Sequence, residues 1–305
     1  MSGPDGADEL FGAIEAGGTK FICAVGNAEG TLLESVRVET RDPRATLADV
    51  FEYFAAAERR HGPLRGYGVG AFGPLELRPQ AAQFGFVTTT PKAGWQYFDL
   101  HGSLRRHFGR TVVLDTDVNA AALGEMRWGA GRHFKTLAYV TVGTGIGAGI
   151  VQHGLAVHGL MHPELGHVMV RRHPTDTIFA GICPFHGDCL EGLAAGPAIV
   201  ARTGRSLLEA RPDDPIWSIE ADYLGQLATV LVLTHSPERI LFGGGVMQDH
   251  PRLFGRTHAG MLDWLRGYLP HPELADPSYI QPPGLGQQAG IYGALALILS
   301  ATGNS

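Results

Sequence analysis

A glycine-rich turn between two apolar, strand-like segments occurs twice in this chain of 305 residues, at matched places in its two halves. The first turn is EAGGTK, Glu15 to Lys20, and the second is TVGTGIGAG, Thr141 to Gly149. Glycine lets backbone N–H groups approach an anion closely, and threonine adds a hydroxyl donor. Either turn alone is most simply a tight hairpin. Two of them at equivalent positions indicate an internal duplication in which each half opens with a β-hairpin.

The segments around these turns predict the same element order in each half. In the first half, the segments Phe11–Ala16, Phe21–Val25 and Leu32–Val38 are typical of strands, and an amphipathic helix follows in ATLADVFEYFAAAERR. In the second half, the strands of LAYVTVGTGIGAGIV and another near His167–Val170 precede a long helix at Ile216–His235. Two β-β-β-α-β-α halves predict a duplicated α/β fold with two lobes and a cleft between them.

The same pattern predicts domain boundaries. We expect residues 1–10 to form a disordered tail. Residues 11–116, together with about 288–305, are expected to form the N-terminal lobe. Residues 117–287 are expected to form the C-terminal lobe.

Composition and charge narrow the class of function. The net charge is −6 and no block of lysine and arginine occurs, which makes nucleic acid and anionic membranes poor candidate partners. No apolar run approaches the about 18 residues of a membrane span, and the polar, acidic start lacks the apolar core of a signal peptide. Three cysteines cannot build a disulfide framework, so we expect a protein of the reducing cytoplasm.

An acidic turn follows the last predicted strand of the first half. In LDTDVNAAALGE, Asp115, Asp117 and Asn119 close a strand and begin a helix, where free N–H groups and the helix dipole favour an ionised carboxylate. Any one of these residues could be the N-cap of the helix. A general base at the end of a strand is the functional alternative.

A third glycine turn, FGGGV at Phe242 to Val246, ends a strand-like segment of the second half. A strand-to-helix turn accounts for one such glycine better than for three. Three successive glycines would let the flat face of a base or a ribose lie against the backbone, which indicates a nucleotide site.

Two of the three cysteines lie in one Gly/Pro loop, GICPFHGDCLEG, with a histidine midway between them. Cys183, His186 and Cys189 stand at three-residue intervals, and His167 of HPELGH lies upstream. These four residues offer the ligand types and the coordination number of a structural zinc site. A disulfide between the two cysteines, or a coincidence of spacing, remains an alternative at this point.

The chain resembles the ROK family of sugar kinases, in the actin/hexokinase superfamily, in the order and spacing of six motifs: EAGGTK, DTDVNAAALGE, TVGTGIGAG, HPELGH, CPFHGDCLEG and LFGGG. The likeness covers about residues 11–302 and is greatest to zinc-containing bacterial fructokinases. HPELGH followed by the cysteine–histidine loop is the most specific part of this resemblance, because the glycine turns alone are unspecific. The resemblance implies a two-lobed, ribonuclease H-like α/β fold and an ATP-dependent hexose kinase.

The resemblance also implies how ATP is bound. The first two glycine turns would hold its phosphates, the third would lie against the adenosine, and Mg²⁺ would accompany the nucleotide. The family's general base is the Asp before x-Asn, here Asp117. The ATP-binding residues that the resemblance assigns are Gly17, Gly18, Thr19, Lys20, Thr141, Gly143, Thr144, Gly145, Gly243, Gly244 and Gly245.

The sugar contacts implied by the resemblance come from both halves. Glu164 and His167 match the family's E-x-G-H motif, and Glu191 of CLEG matches a further carboxylate. Each carboxylate can accept two hydrogen bonds from sugar hydroxyls. Thr116 and Asp117, at the acidic turn, complete the implied sugar site.

The resemblance further implies a structural Zn²⁺ in the loop 167–189. Its ligands would be His167, Cys183, His186 and Cys189. The metal would fix the tautomer and orientation of the His167 ring and so support the sugar pocket. Two other histidines are weaker candidates for the place of His167, namely His162 and His173.

Two departures from the family pattern bear on the metal and the substrate. Glu15 stands where many relatives have Asp, which changes how Mg²⁺ is held, and Thr116 stands where many glucose- and mannosamine-type members have Asn. The second departure favours fructose, phosphorylated at the 6-hydroxyl to fructose 6-phosphate. Mannose, glucose and an N-acetylhexosamine remain alternative substrates. A catalytically inactive sugar-sensing regulatory protein is the alternative of another class, and the resemblance also allows a homodimer.

Overall fold

The computed structural model describes residues 9–303 of the chain. These residues form two compact units. The first unit comprises the chain up to Trp128, the short segment His158–His162 and the chain from Gln288 onward, and the second comprises Gly129–Val157 and Pro163–Gln287. Most of the predicted tail at residues 1–10 lies outside the described residues, but Leu10 already belongs to the first strand.

Each unit opens with three consecutive strands and continues with a mixture of helices and strands. The strands β1 to β12 are Leu10–Ala16, Lys20–Asn27, Leu32–Glu39, Gly66–Ala71, Phe86–Val87, Phe98–Asp99, Thr111–Thr116, Thr136–Val142, Ile146–Gln152, Leu155–Ala156, Arg239–Gly243 and Ile280–Gln281. The helices α1 to α10 are Pro43–His61, Leu100–Phe108, Asp117–Trp128, Leu190–Ala194, Gly196–Thr203, Ile216–His235, Gly245–Gln248, Arg252–Leu265, Pro272–Ala275 and Ala289–Ala301. Short 3₁₀ helices occur at Leu165–His167, Leu207–Glu209, Pro277–Tyr279 and Gly286–Gln288.

The first unit is built on a five-stranded sheet of order β3-β2-β1-β4-β7. Strands β1, β2 and β3 are antiparallel neighbours, whereas β4 and β7 extend the sheet in parallel. Successive side chains of β1 alternate between two cores, as the period of a strand requires. Ile14 packs with Val50 and Phe54 of α1, and Ala13 packs with Leu295 of α10. The sheet is therefore covered by helices on both faces.

The second unit repeats this plan with a sheet of order β10-β9-β8-β11-β12. Its first three strands are again antiparallel, and the last two are again parallel additions. When the strands of each half are counted along the chain, both sheets have the same order from one edge to the other: third, second, first, fourth and last. This equivalence confirms the duplicated α/β fold that the glycine hairpins predicted.

One predicted strand of the second half was wrong. The third strand lies at Leu155–Ala156, not near His167–Val170, where a 3₁₀ helix ends at His167 and Met169 forms only an isolated bridge with Cys189. The reason is the two-residue turn formed by His153 and Gly154, both with positive φ, which closes a hairpin immediately after β9.

Helix α6 is the central helix of the second unit. By length and composition it could cross a membrane, but 78% of its most apolar window is buried inside the protein. Its backbone lies directly against α8, where a Cβ on Gly225 would stand 2.8 Å from the carbonyl carbon of Gly260. Its apolar surface is therefore used for packing within the unit.

Helix α3 belongs to the first unit, which extends to Trp128, beyond the boundary expected at residue 116. The reason is its close crossing with α10. A Cβ on Gly124 would lie 2.6 Å from the amide nitrogen of Gly293, and one on Gly293 would lie 1.9 Å from the carbonyl oxygen of Ala120. Backbone contacts this close hold the start of α3 in the same unit as β1.

The crossing of α3 and α10 predicts that Gly293→Ala destabilises the protein. Its added methyl group has no free space, and overpacking of this kind costs about 1–3 kcal/mol. Gly255→Ala is the matched control, because Gly255 lies exposed in α8 with nothing within 4 Å of an added Cβ. The control should leave the thermal unfolding midpoint unchanged or raise it, since alanine stabilises a helix by up to about 1 kcal/mol over glycine. Equal midpoints for the two variants would contradict the crossing.

Candidate functional site

The turn between β1 and β2 is held at its base and open at its tip. The amide of Gly17 donates to the carbonyl of Lys20 at 3.0 Å, and the hydroxyl of Thr40 donates to the carbonyl of Gly17 at 2.7 Å. Gly18 and Thr19 at the tip are exposed, and an added Cβ on Gly18 would meet nothing within 4 Å. The turn thus has a fixed shape with room beside its tip for a ligand.

The second and third glycine turns lie side by side in the second unit. Gly143 donates from its amide to the carbonyl of Gly145 at 2.9 Å and accepts from the amide of Gly196, at the start of α5, at 2.8 Å. Gly244 has a φ of +83°, and a Cβ there would stand 2.3 Å from the carbonyl oxygen of Val142. Only glycine satisfies both the conformation and the close approach at Gly244. The backbones of the two turns are therefore in direct contact.

A cavity of about 620 Å³ adjoins the third glycine turn. A Cβ on Gly243 would stand 3.3 Å from the ring of Pro283, which is part of the cavity wall. The volume lies within the about 300–1,000 Å³ typical of small-molecule sites. The lining residues are Gln248, Pro251, Phe254, Pro282, Pro283, Gly286 and Gln287. Rings and amide groups of this kind suit a planar aromatic base.

The acidic turn between β7 and α3 is built on the buried Asp115. Its Oδ1 accepts from the amide of Thr116 at 2.7 Å and from Nδ2 of Asn119 at 2.8 Å, and it lies 3.1 Å from Nε2 of His158. The hydroxyl of Thr116 accepts from the amide of Asn119 at 3.2 Å, which caps the first turn of α3. Asp115 and Thr116 therefore shape the turn from which Asp117 projects.

Asp117 and Glu15 are two carboxyl groups of the first unit with raised pKa values. Burial raises the pKa of Asp117 to about 6, although the amide of Val118 donates to its Oδ1 at 2.9 Å. Burial, and then the charge of Asp117, raise the pKa of Glu15 to about 7 against the opposing effect of Lys20. The buried Oε2 of Glu15 has no hydrogen-bond partner. Carboxylates perturbed in this way are typical of catalytic and cation-binding sites.

The cysteine–histidine loop brings together the four predicted zinc ligands. One ligand atom from each of His167, Cys183, His186 and Cys189 lies within 4.8 Å of all the others. Nδ1 of His167 is 3.4 Å from Sγ of Cys189 and 3.8 Å from Sγ of Cys183, and Nδ1 of His186 is 3.6 Å from Sγ of Cys183. Tetrahedral zinc with ordinary Zn–S and Zn–N bonds separates S and N by about 3.6 Å. The donor set therefore fits zinc.

The two alternative histidines lie elsewhere. Nε2 of the buried His162 accepts a hydrogen bond from the amide of Leu75 at 3.0 Å, within the first unit. Nδ1 of His173 lies 2.9 Å from the hydroxyl of Thr175. Neither residue belongs to the ligand group around Cys183.

The predicted sugar contacts of the second unit, Glu164 and Glu191, lie next to His167 of the predicted zinc cluster. Glu164 immediately precedes the 3₁₀ helix that ends at His167, and its carbonyl accepts from the His167 amide at 3.0 Å. Oε1 of Glu191, on α4, lies 3.9 Å from Nε2 of His167, and its Oε2 accepts from the amide of Ile146 at 2.9 Å. Nδ1 of His167 thus faces the thiol groups, and Nε2 faces a carboxylate.

His158 lies against the acidic turn, and no sequence motif predicted this contact. It lies in a loop far from Asp115 along the chain, yet it contacts both Asp115 and Asn119, with Nε2 of His158 and Nδ2 of Asn119 3.4 Å apart. No local spacing links these residues. Only its place a few residues before HPELGH could have drawn attention to it.

Comparisons with known proteins agree with this geometry. The ROK family profile matches residues 11–301. A fructokinase of Zymomonas mobilis is 42% identical over 297 residues, covering 96% of this chain and 97% of that protein. A fructokinase of Pediococcus pentosaceus is 40% identical over 296 residues, covering 97% of this chain and all of that protein.

A solved structure extends the likeness to three dimensions. The crystal structure of a ROK hexokinase from Thermus thermophilus superimposes with a TM-score of 0.77 at 28% identity, covering 96% of this chain and 99% of that one. The predicted actin/hexokinase-like α/β fold is thereby confirmed. Because the family profile spans nearly the whole chain and full-length relatives exceed 30% identity, this chain belongs to the ROK family.

Proposed function

We propose that the protein is an ATP-dependent hexose kinase that transfers the γ-phosphoryl group of ATP to the 6-hydroxyl of fructose. The observation that carries the proposal is the full-length similarity to fructokinases, at about 40% identity. The chain also has Asp117, the proposed base, at the start of α3. The inactive sensor alternative has no comparable support, because Asp117 and the glycine turns are all present.

Asp117 is the proposed general base. With a pKa of about 6, its carboxyl is mostly ionised at neutral pH and can accept the proton of the sugar hydroxyl as the oxygen attacks phosphorus. The hydrogen bond from Val118 and the capped turn of α3 fix its orientation. In phosphoryl transfer, such positioning and charge stabilisation account for most of the rate.

The glycine turns are the proposed nucleotide site. In the first unit, the turn Gly17–Lys20 offers the amides of Gly18 and Thr19, the hydroxyl of Thr19 and the cation of Lys20 to phosphate oxygens. In the second unit, backbone amides and threonine hydroxyls come from the turns that hold Thr141, Gly143, Thr144, Gly145, Gly243, Gly244 and Gly245. The cavity of about 620 Å³ that adjoins the third turn is the proposed place of the adenine base.

Mg²⁺ is the proposed partner of the nucleotide. The buried, unpartnered Oε2 of Glu15 and the neighbouring charge of Asp117 fit a hard cation that prefers carboxylate oxygens. When bound, the ion neutralises charge on the phosphates. We propose that Glu15, in place of the more usual Asp, takes part in holding it.

Structural zinc is proposed for the cluster of His167, Cys183, His186 and Cys189, on the strength of its donor types and S–N distances. Zinc fixes its ligands in place when bound. The His167 ring, together with Glu164 and Glu191, then contacts the sugar, whose hydroxyls donate to the carboxylates. In the first unit, Thr116 and Asp117 complete the proposed set of sugar contacts.

The setting of the enzyme is proposed on a similar basis. The reducing cytoplasm is the proposed location, because three cysteines cannot build a disulfide framework and the thiol of Cys23 is wholly buried in β2. ATP and a sugar are the proposed partners. A homodimer is the proposed assembly by family resemblance.

An assay of ADP release with Mg·ATP tests the proposed function directly. Fructose, mannose, glucose and N-acetylmannosamine are compared, and the product is identified by ³¹P NMR. We expect the highest kcat/KM for fructose and a phosphate ester at its 6-hydroxyl. A preference for another hexose would correct the substrate. Absence of ADP release with every sugar, in protein shown to bind Mg·ATP, would contradict the kinase.

Replacing the base should remove turnover but not sugar binding. Asp117→Asn keeps the size of the side chain but cannot take a proton, so kcat should fall by at least about 10²–10⁴-fold. Fructose affinity, measured by calorimetry, should change by less than about threefold because an amide oxygen still accepts one hydrogen bond. If fructose binding is lost as well, Asp117 is a substrate anchor rather than only a base.

The raised pKa values predict an acid limb in the rate. Below a pH of about 6 Asp117 is protonated and cannot accept a proton, so kcat/KM for fructose should fall as the pH is lowered through about 6. Because the charge of Asp117 raises the pKa of Glu15, the two carboxyl groups titrate as a pair, and the fall in kcat/KM can begin at a pH of about 7. A profile that stays flat from pH 5 to 8 would exclude Asp117 as the base.

Removing a zinc ligand should weaken sugar binding. Cys183→Ser removes one thiolate from the cluster. The zinc content, measured by atomic emission, should therefore fall from one ion per chain toward zero. Fructose affinity should fall by about tenfold or more, since His167 loses its fixed orientation. Cys23→Ser, at the buried thiol of β2, is the control and should keep zinc. Unchanged fructose affinity in zinc-free protein would refute the supporting role of the metal.

A further inference from the structure

Ile146 lies where the second glycine turn contacts the elements that carry Glu191 and His167. It is the first residue of β9, directly after Gly145. Its amide donates to Oε2 of Glu191 at 2.9 Å. A Cβ on Gly166 would stand only 1.8 Å from the carbonyl oxygen of Ile146, so the 3₁₀ helix that carries His167 packs directly on this backbone. Both polar backbone atoms of Ile146 therefore face elements that hold zinc ligands or sugar contacts.

The carboxylate of Glu191 lies between the cluster and the glycine turn. While Oε2 accepts from Ile146, Oε1 lies 3.9 Å from Nε2 of His167, whose Nδ1 faces Cys189. Glu191 is also two residues beyond Cys189, at the start of α4. The carboxylate is thus linked to the cluster through the chain at Cys189, and its Oε1 lies beside the imidazole ring of His167.

The turn itself is shaped to admit this carboxylate. A Cβ on Gly145 would stand 2.7 Å from Oε2 of Glu191, so the absence of a side chain lets the carboxylate reach the backbone. On the other side of the turn, the amide of Gly196 donates to the carbonyl of Gly143 at 2.8 Å. The turn is therefore held at both ends, by Glu191 at Ile146 and by α5 at Gly143.

We propose that Glu191 is a positioning residue for the nucleotide as well as a sugar contact. Through the amide of Ile146, it holds the turn Gly143–Gly145 in the conformation that receives the ATP phosphates, and the zinc cluster sets its position through His167. This inference rests on the proposed function, in which that turn binds phosphate. Its physical basis is that a loop ordered before binding pays less conformational entropy when the ligand arrives.

The inference is tested by the affinity for Mg²⁺ with the β,γ-imido analogue of ATP, measured by calorimetry without sugar. Glu191→Ala removes the acceptor of the Ile146 amide, and a lost charge-assisted hydrogen bond predicts an affinity about tenfold lower. Glu191→Gln keeps an acceptor oxygen at the same place. It should therefore stay within about twofold of the unaltered protein for the nucleotide while its fructose affinity falls.

Glu164→Ala is the matched control, because it removes another carboxylate that is a proposed sugar contact of the same unit. It should lower fructose affinity and leave nucleotide affinity unchanged. Zinc depletion by Cys189→Ser should lower nucleotide affinity, by less than it lowers fructose affinity. Adding Glu191→Ala to the zinc-free variant should then lower its nucleotide affinity by less than about twofold more, because both changes release the same turn.

A second measurement does not depend on how well the variants fold. Amide hydrogen exchange of residues 141–147 is compared in zinc-loaded and chelator-treated protein of unaltered sequence. The turn should exchange faster without zinc, while β11 serves as an internal reference that does not change.

The outcomes separate the inference from the proposed function. If the unaltered protein does not bind the Mg²⁺–nucleotide, the proposed function fails. If it binds, but Glu191→Ala binds equally well without sugar, Glu191 contacts sugar alone and the inference is overturned. Unchanged exchange of residues 141–147 on zinc removal would overturn it equally. A loss shared by Glu191→Gln and Glu191→Ala would assign the effect to charge and contradict the hydrogen bond to Ile146.

Discussion

The two nitrogen atoms of the His167 imidazole ring lie beside different groups. Its Nδ1 lies among the sulfur atoms of Cys183 and Cys189, and its Nε2 points toward Glu191. A ring held on one nitrogen by a metal has a fixed tautomer and a fixed plane, so its other nitrogen presents a defined partner. The cysteine–histidine loop and the start of α4 both lie beside this one side chain, and Glu191 of α4 in turn contacts the start of β9.

The first unit holds two partly buried carboxyl groups, Glu15 and Asp117. Glycines let the backbones of α3 and α10 lie in contact, and α10 also packs closely on Glu15, where a Cβ on Gly290 would stand 2.4 Å from the carboxyl carbon. Burial disfavours the charged form of a carboxyl group, and it is the main cause of the raised pKa values of Glu15 and Asp117. These two carboxyl groups are the ones for which cation binding and proton transfer are proposed.

Features set by local spacing were predictable from the sequence. The glycine hairpins, helix α6 at its stated bounds and the ligand group of Cys183, His186 and Cys189 all follow from residues close together in the chain. Because the two halves share these signals, the duplicated fold was predictable as well. The catalytic, nucleotide and sugar roles of the site residues remain predictions that rest on family resemblance.

Features set by long-range contacts were not predictable. The contact of His158 with Asp115 and that of Glu191 with Ile146 join residues that no sequence pattern connects. The third strand of the second half was misplaced because β10 has two residues, too few for an alternating pattern. The extension of the first unit to Trp128 depends on the packing of α3 against α10, which composition does not reveal.

The metal and the orientation of His167 would both be visible in a crystal structure of zinc-loaded protein with anomalous data collected at the zinc edge. We expect one zinc ion bound by Nδ1 of His167, Sγ of Cys183, Nδ1 of His186 and Sγ of Cys189, with Nε2 of His167 still facing Glu191. A metal bound through Nε2 of His167, or a disulfide between Cys183 and Cys189 in place of the metal, would contradict this expectation.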